Sequence, residues 1–198
     1  MRRAPRRLLA LAITMVAAPL WGSPLPTAPP GSAIEALSGI DFVPGRSDLV
    51  RLFAGDVAAL VGLANGMDGG DPVDPGVRLR AYRSLSKFVG DPIAIEGLRA
   101  AVDNFRNARH GTDLLYLVAA LGALGEIGDA DDVARVVPLL GASDSRDLRA
   151  AAARALGGLG SLEACAPLRL HARSDGIEPE AMVQVAANRA LTRLVFCD

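Results

Sequence analysis

Aromatic residues and lysine are both scarce in this chain. Phe, Trp and Tyr make up 4% of the 198 residues, and Lys87 is the one lysine. A core with few aromatic residues has to be built from Ala, Leu and Val, which suits helices that approach closely better than it suits the sheets of a β-sandwich. Because hydrophobic residues reach 51%, the chain can still bury a sizeable core, and we expect an all-α fold.

The sequence also lacks the motifs that usually mark catalytic or cofactor sites. It contains no HExxH pair, no GxSxG turn and no glycine-lysine phosphate loop. The two histidines, His110 and His171, have no second ligand at metal spacing, so both are predicted to be solvated side chains or helix caps. We therefore expect a protein that is not an enzyme, with no catalytic residue, no metal and no cofactor.

An acidic segment, MDGGDPVDPG at 67–76, raises the question of calcium. Asp68, Asp71 and Asp74 offer hard oxygen ligands beside turn glycines, but they recur every third residue rather than every second one as in an EF-hand loop. Helix caps and turns are the preferred interpretation, because Asp, Gly and Pro favour both. The same interpretation applies to a later acidic group, Asp129, Asp131 and Asp132.

The first 22 residues have the composition of a secretory signal peptide. A basic start with Arg2, Arg3, Arg6 and Arg7 precedes an apolar run over 8–18, which Pro19 ends. A membrane anchor is the alternative, but a spanning helix needs about 20 apolar residues. We predict cleavage after Gly22, a Pro-rich tether over 23–33, and a secreted or periplasmic protein with no stable membrane anchor after cleavage.

Loss of this segment would leave the chain acidic. The 21 basic residues minus the four arginines give 17, and 17 minus the 22 acidic residues is −5. An acidic protein without a basic patch is a poor match for a phosphate backbone. Nucleic acid is therefore not an expected partner.

An apolar pattern recurs along the remaining chain at steps of 36, 35 and 35 residues. Each copy places four residues at i, i+4, i+8 and i+11, which is one stripe of a helix, and the copies begin at Val77, Asp113, Leu148 and Val183. Such helices hide their apolar stripes by stacking. The pattern therefore predicts a solenoid of about four helical hairpins.

The regular repeats are predicted to occupy 75–198, after a degenerate helical cap over 34–74. The first helix of each unit is predicted at 75–89, 112–125, 145–159 and 178–194. The second helices are predicted at 92–107, 131–141 and 162–173.

The residues LRAAAARALGGLG at 148–160 and VRLRAYRSLSKFVGDP at 77–92 resemble the short HEAT-like repeats typified by phycobilisome lyase proteins, and LGALGEIGD at 121–129 fits the same pattern. Tetratricopeptide repeats have a similar period, but their aromatic signature is absent. The resemblance implies an armadillo-type α/α superhelix that binds a protein partner. Because such repeats also occur in enzymes, an accessory or chromophore-lyase-like enzyme component is the alternative.

Second helices normally line the concave face of such solenoids, so their polar residues are the predicted partner contacts. These residues are Arg99, Asp103, Arg106, Asn107, Arg135 and Arg169.

Arginines also form ladders on the first helices, at repeat-equivalent positions. One ladder contains Arg83, Arg154 and Arg189, and the other contains Arg78 and Arg149. Such ladders can bind anions through the guanidinium fork. The preferred interpretation is an exposed face whose arginines pair with acids of the neighbouring unit.

Cys165 and Cys197 are the cysteines of the chain, and both follow the predicted signal. An even count in an exported chain favours a disulfide. Subtracting one 35-residue period from Cys197 gives Leu162, about one helical turn from Cys165, so the pair is predicted to lie within reach and to close the C-terminal end of the stack, with Phe196 covering the last helix. Two buried free cysteines are the alternative.

Overall fold

The computed structural model describes residues 32–39, 44–68, 71–142, 144–173 and 175–197. The predicted signal over 1–22 and all but the last two residues of the predicted tether lie outside these residues. Both remain predictions.

Almost all regular structure in the described residues is helical. The α-helices, in chain order, are α1 (Ala33–Ser38), α2 (Arg46–Leu52), α3 (Val57–Ala64), α4 (Pro75–Leu85), α5 (Pro92–Phe105), α6 (Gly111–Ile127), α7 (Val133–Val136), α8 (Arg146–Leu159), α9 (Cys165–Ala172) and α10 (Ala181–Arg193). Turns of 3-10 helix flank α7 at Ala130–Asp132 and Val137–Gly141, and another precedes α9 at Leu162–Ala164. The predicted all-α solenoid of helical hairpins is confirmed.

A short antiparallel ladder interrupts the helical order between α3 and α4. It joins β1 (Met67–Asp68) to β2 (Asp71–Pro72), with Met67 opposite Pro72. The described residues of the acidic segment therefore form a strand pair and the start of α4. Its last acid, Asp74, caps α4 by accepting hydrogen bonds from the backbone N–H groups of Gly76 and Val77, as the cap interpretation predicted.

The repeated apolar stripe forms the core of the stack. Leu121 and Leu156, at equivalent positions in α6 and α8, are both fully buried. The other stripe positions of α4, α6, α8 and α10 are buried too, apart from the exposed Asp113 and the partly exposed Leu191. The period read from the apolar residues is therefore the period of the packing.

The first helices, α4, α6, α8 and α10, pack directly against one another. A Cβ atom on Gly125 would lie 2.7 Å from the Cα atom of Ala155, and one on Gly157 would lie 2.7 Å from the Cα atom of Ala190. No side chain fits in these crossings, because real Cβ atoms do not approach so closely. Glycine at these two positions therefore allows the close approach of the first helices.

The second helices, α5, α7 and α9, are less regular than the first helices. Pro138 lacks a backbone N–H and cannot donate to the carbonyl of Ala134, so α7 ends after one turn and continues as 3-10 helix. Pro167 lies in the first turn of α9. Backbone N–H groups there make no hydrogen bond within the helix, so proline is tolerated. Neighbouring second helices make few contacts with each other.

The predicted disulfide is present and joins the last two units. Cys165, at the start of α9, is bonded to Cys197 with a Cα–Cα distance of 5.4 Å. The prediction for Phe196 is wrong, since its side chain is 46% exposed. Leu194 and Cys197 are the buried residues of this turn, because Cys197 is bonded to the buried Cys165.

The prediction of a solvated His171 is also wrong. Its imidazole is buried, and Nδ1 lies 3.4 Å from Oε2 of Glu178. Glu178 is in turn held by two hydrogen bonds from Arg149, of 2.8 and 3.0 Å. Arg149 therefore pairs with an acid of the next unit, as predicted for the arginine ladders. The predicted exposure is wrong for Arg149, because its side chain is buried.

Candidate binding surface

The surface formed by the second helices contains most of the predicted partner residues. We define it by the outward sides of α3, α5, the 130–141 segment and α9. Four charged residues of this surface form an ion-pair cluster between α5 and the 130–141 segment, which we call the central cluster: Arg99, Asp103, Asp132 and Arg135.

Asp132 is the centre of the central cluster. Arg99 donates to Asp132 through Nε at 2.8 Å and through Nη2 at 3.0 Å, and Arg135 donates to it through Nη1 at 2.9 Å. Asp132 also accepts from the backbone N–H of Asp129 and has no exposed surface. The carboxylate is therefore desolvated but fully paired.

The charges of the central cluster shift the pKa values of its members. Burial acts to raise the pKa of Asp132, but the hydrogen bonds from Arg99 and from the Asp129 backbone, with the positive charges of Arg99 and Arg135, hold it below its ordinary value. The pKa of Arg99 is raised, chiefly by its hydrogen bond to Asp132. Both groups are charged near neutral pH, so the cluster joins neighbouring units electrostatically.

Arg135 extends the central cluster to its rim. Its Nε donates to both carboxylate oxygens of Asp103, at 3.2 and 3.1 Å. Of the six predicted partner residues, three are thus engaged with other residues of the chain. The other three, Arg106, Asn107 and Arg169, have exposed side chains at the end of α5 and on α9. A contact of any of the six with a partner stays a prediction.

A groove opens on one side of the central cluster, between the 130–141 segment and α9. We call it groove A, and it has a volume of about 760 Å³. Its lining is mostly apolar: Ala130, Val133, Ala134, Val137, Pro138, Ala166, Pro167 and Leu170, with Asp131 and Glu163 as charged residues. Leu170 is 56% exposed, so groove A presents apolar surface to solvent.

A second groove, groove B, opens on the other side of the central cluster, between α3 and α5. It has a volume of about 430 Å³ and is lined by Val61, Asn65, Pro92, Ile93, Glu96, Gly97 and Ala100. Ile93 is 49% exposed. The second-helix surface therefore alternates between an apolar groove, a closed ionic contact and another apolar groove.

The prediction of polar partner residues missed these grooves because it considered charge alone. Ala100, Ala134 and Ala166 lie on the second helices with exposed side chains. Small residues at such positions leave room between helices, whereas long side chains such as Arg99 and Arg135 fill it. Exposed alanines and prolines on the second helices were the available signal.

A further groove lies on the opposite side of the stack, between α1, α4 and α6. Arg83 and Lys87 line it, together with Gly39 and Pro44. These last two residues border 40–43, which lie outside the described residues. Because the second helices carry two grooves with mostly apolar linings, the candidate binding surface is assigned to them.

In the part of the chain that the structure describes, no helix is long and apolar enough to cross a bilayer. Across the same residues, no group of three or more His, Cys, Asp or Glu side chains is arranged to hold a metal ion.

The stacked helical hairpins were compared with known protein families and known proteins. The family model of HEAT repeats matches residues 108–192. The match covers α6 to α10 almost entirely, including the close crossings at Gly125 and Gly157. No curated protein matches the chain. HEAT repeats commonly mediate contacts between proteins, which is consistent with a protein partner for this chain.

Proposed function

We propose that this protein is a non-catalytic, exported HEAT-repeat scaffold that binds a protein partner through its second-helix surface. The observation that carries the proposal is the pair of apolar grooves, A and B, on either side of the central cluster. Protein interfaces concentrate their binding energy in apolar pockets surrounded by polar residues. The proposal places the anchors of the partner in the two grooves.

The state of the ionisable groups supports a non-catalytic role. A general acid or base works best with a pKa near the working pH, whereas the pKa of Asp132 is lowered from its already acidic value. The ion pairs of Asp132 with Arg99 and Arg135 join α5 to the next unit. We infer that these charged residues hold the surface in shape.

We also propose that the repeats are of the short phycobilisome lyase type. The Ala-Leu-Gly-x-Leu-Gly pattern, clearest at 155–160, supports the short repeats of the phycobilisome lyase type. An accessory or chromophore-lyase-like enzyme component is the alternative function. A fold of this kind serves either role, so the choice depends on what the grooves bind.

Export is proposed on the sequence of the first 22 residues and on the disulfide. Disulfides persist in oxidising compartments, and Cys165 and Cys197 are bonded to each other. The proposal places the protein outside the cytoplasm, secreted or periplasmic.

Site-specific crosslinking in intact cells tests the proposed function. A photoreactive residue in place of Ala134 would lie in groove A, and one in place of Gly122 would lie on the opposite side of the stack, in the groove between α1, α4 and α6, where a Cβ atom meets nothing within 4 Å. We expect a discrete crosslinked protein from position 134 and little from position 122. Equal yields at the two positions, or a small molecule in place of a protein at position 134, would contradict the proposal.

A further inference from the structure

The charged residues that line grooves A and B have one sign. Groove B contains Glu96, and groove A contains Asp131 and Glu163. In both grooves, all the charged lining residues within the described part of the chain are therefore acidic.

The nearest cations of the surface are engaged mainly by acids outside the groove linings, apart from a 4.0 Å ion pair between Arg99 and Glu96. Arg99 and Arg135 lie beside the grooves in sequence, but their guanidinium groups bind the carboxylates of Asp132, Asp129 and Asp103. Arg169 is exposed on α9 and is outside the lining of groove A.

The acids of the grooves are accessible to a partner. Asp131 has an exposed side chain at the start of the 130–141 segment, and its backbone N–H, not its carboxylate, makes the cap contact with Asp129. Glu163 is exposed and shares its carboxylate with the hydroxyl of Ser161. Glu96 is 75% exposed, and its ion pair with Arg99 spans 4.0 Å at the protein surface. All three can approach a cation without losing a buried contact.

An apolar floor with an acidic rim selects a particular partner. Apolar side chains of the partner would fill the space beside Ala134 and Leu170, while Asp131 and Glu163 would attract positive charge on the same segment and repel negative charge. The repetition of this combination in groove B requires the same chemistry a second time along the partner.

We propose that the partner segment bound by this scaffold is basic and apolar, with Leu-type anchors in grooves A and B and Lys or Arg beside Glu96, Asp131 and Glu163. The inference rests on the proposed function and adds the chemical class of the partner. The charge selectivity of the binding surface comes from the acids of the two grooves. The central cluster keeps α5 and the 130–141 segment in register.

The test uses three labelled helical peptides of equal length: one of Leu and Lys, and two in which every Lys is replaced by Gln or by Glu. Binding to the purified wild-type protein is measured by fluorescence anisotropy. We expect the Lys peptide to bind most tightly, the Gln peptide more weakly and the Glu peptide most weakly, with the preference decreasing as added salt screens the charges.

Two triple variants locate the effect. Glu96→Gln, Asp131→Asn and Glu163→Gln together remove the groove acids, and Asp113→Asn, Glu126→Gln and Asp147→Asn together remove three exposed acids of first helices. We expect the first variant to bind the Lys peptide about tenfold more weakly and the second to stay within about twofold of wild type. Circular dichroism checks the fold of both.

Each outcome decides the proposal. Equal binding of the three peptides, no binding of the Lys peptide, or equal losses in the two triple variants would overturn it. The crosslinking from position 134 tests the proposed function separately from the class of the partner. A neutral or acidic protein captured there would leave the scaffold role intact and would refute only the basic partner. The peptide comparison on wild-type protein needs no variant, so a folding defect cannot hide the answer.

Discussion

Arg149 and Glu178 form a buried bidentate ion pair between α8 and the segment that leads into α10. The two hydrogen bonds measure 2.8 and 3.0 Å, and the side chains are 9% and 1% exposed. Because His171 lies against the same carboxylate, Glu178 ties together α8, α9 and the start of the last repeat. Arg149 also donates to the carbonyl of Ala142, so the pair fixes the loop before α8 as well.

Removal of Arg149 should destabilise the stack strongly. Arg149→Met leaves Glu178 buried without its main counter-charge, and breaking a buried pair from one side costs about 3 to 5 kcal/mol. Arg154→Met, on the exposed side of the same helix, should change the free energy of unfolding by less than about 0.5 kcal/mol. Urea unfolding followed by circular dichroism measures both. A loss for Arg154→Met as large as that for Arg149→Met would contradict the account.

The same pair makes a specific contribution to the pH dependence of stability. Burial acts to raise the pKa of Glu178, but the hydrogen bonds from Arg149, from the Glu180 backbone and from His171 lower it below its ordinary value. A carboxyl with a lowered folded-state pKa adds stability above its unfolded pKa of about 4.3, and this stability is lost as the pH falls through the folded value.

We therefore expect the stability difference between wild type and Glu178→Gln to be largest near neutral pH and to shrink as the pH falls below about 4. Urea midpoints measured over this pH range check it. Glu126→Gln, an exposed change on α6, serves as the control with a small difference throughout. A wild-type advantage over Glu178→Gln that stayed constant down to strongly acidic pH would be incompatible with an ionised Glu178 in the folded protein.

The close approach of the first helices makes a third prediction. Gly125→Ala and Gly157→Ala each place a methyl group 2.7 Å from a backbone Cα atom of the next first helix, and such overpacking costs about 1 to 3 kcal/mol. Gly122→Ala, with open space around its Cβ position, should be neutral or stabilising because alanine favours the helix. Thermal unfolding of the three variants distinguishes the two classes. Equal destabilisation by all three would contradict this account, because the open space at Gly122 offers no steric reason for a loss.

The disulfide between Cys165 and Cys197 should contribute measurably to stability. It closes a loop with a sequence separation of 32, for which chain entropy predicts about 3 to 4 kcal/mol. Replacing both cysteines with serine should therefore lower the urea midpoint, and added reductant should then have no further effect. Thiol counting on the unfolded, non-reduced protein gives the oxidation state directly: two free thiols would contradict the bond.

The period of the stack was predictable from the sequence, but the ion pairs were not. Apolar residues recur at helical spacing within each copy, so Leu121 and Leu156 identify the buried stripe without reference to any neighbour. The partner of a charged residue depends instead on which side chains meet across two units, and surface charges occur at many positions. One regularity was available: Arg99 and Asp132 are 33 residues apart, close to one repeat.

The grooves could not be predicted because they depend on how far apart the second helices lie. Pro138 ends α7 early, and Ala134 and Ala166 leave the space beside it open. Each of these residues is ordinary in sequence. Only their placement on facing helices makes a groove.

Export is a prediction that N-terminal sequencing decides. The arginine-rich start and short apolar run predict a mature chain that begins near Ser23, recovered outside the cytoplasm. A full-length product in the cytoplasmic fraction would contradict it.

The central claim is that the partner occupies the second-helix surface, and the most direct test is the affinity of the crosslinked partner for two matched variants. Ala134→Arg places a long side chain in groove A, and Gly122→Arg places the same side chain on the opposite side of the stack, in the groove between α1, α4 and α6. The account predicts that Ala134→Arg weakens binding by about tenfold or more, as expected when an anchor pocket is blocked, while Gly122→Arg binds like wild type. A partner that bound Ala134→Arg at full affinity, or that lost affinity for Gly122→Arg instead, would show that the binding surface lies elsewhere on the molecule.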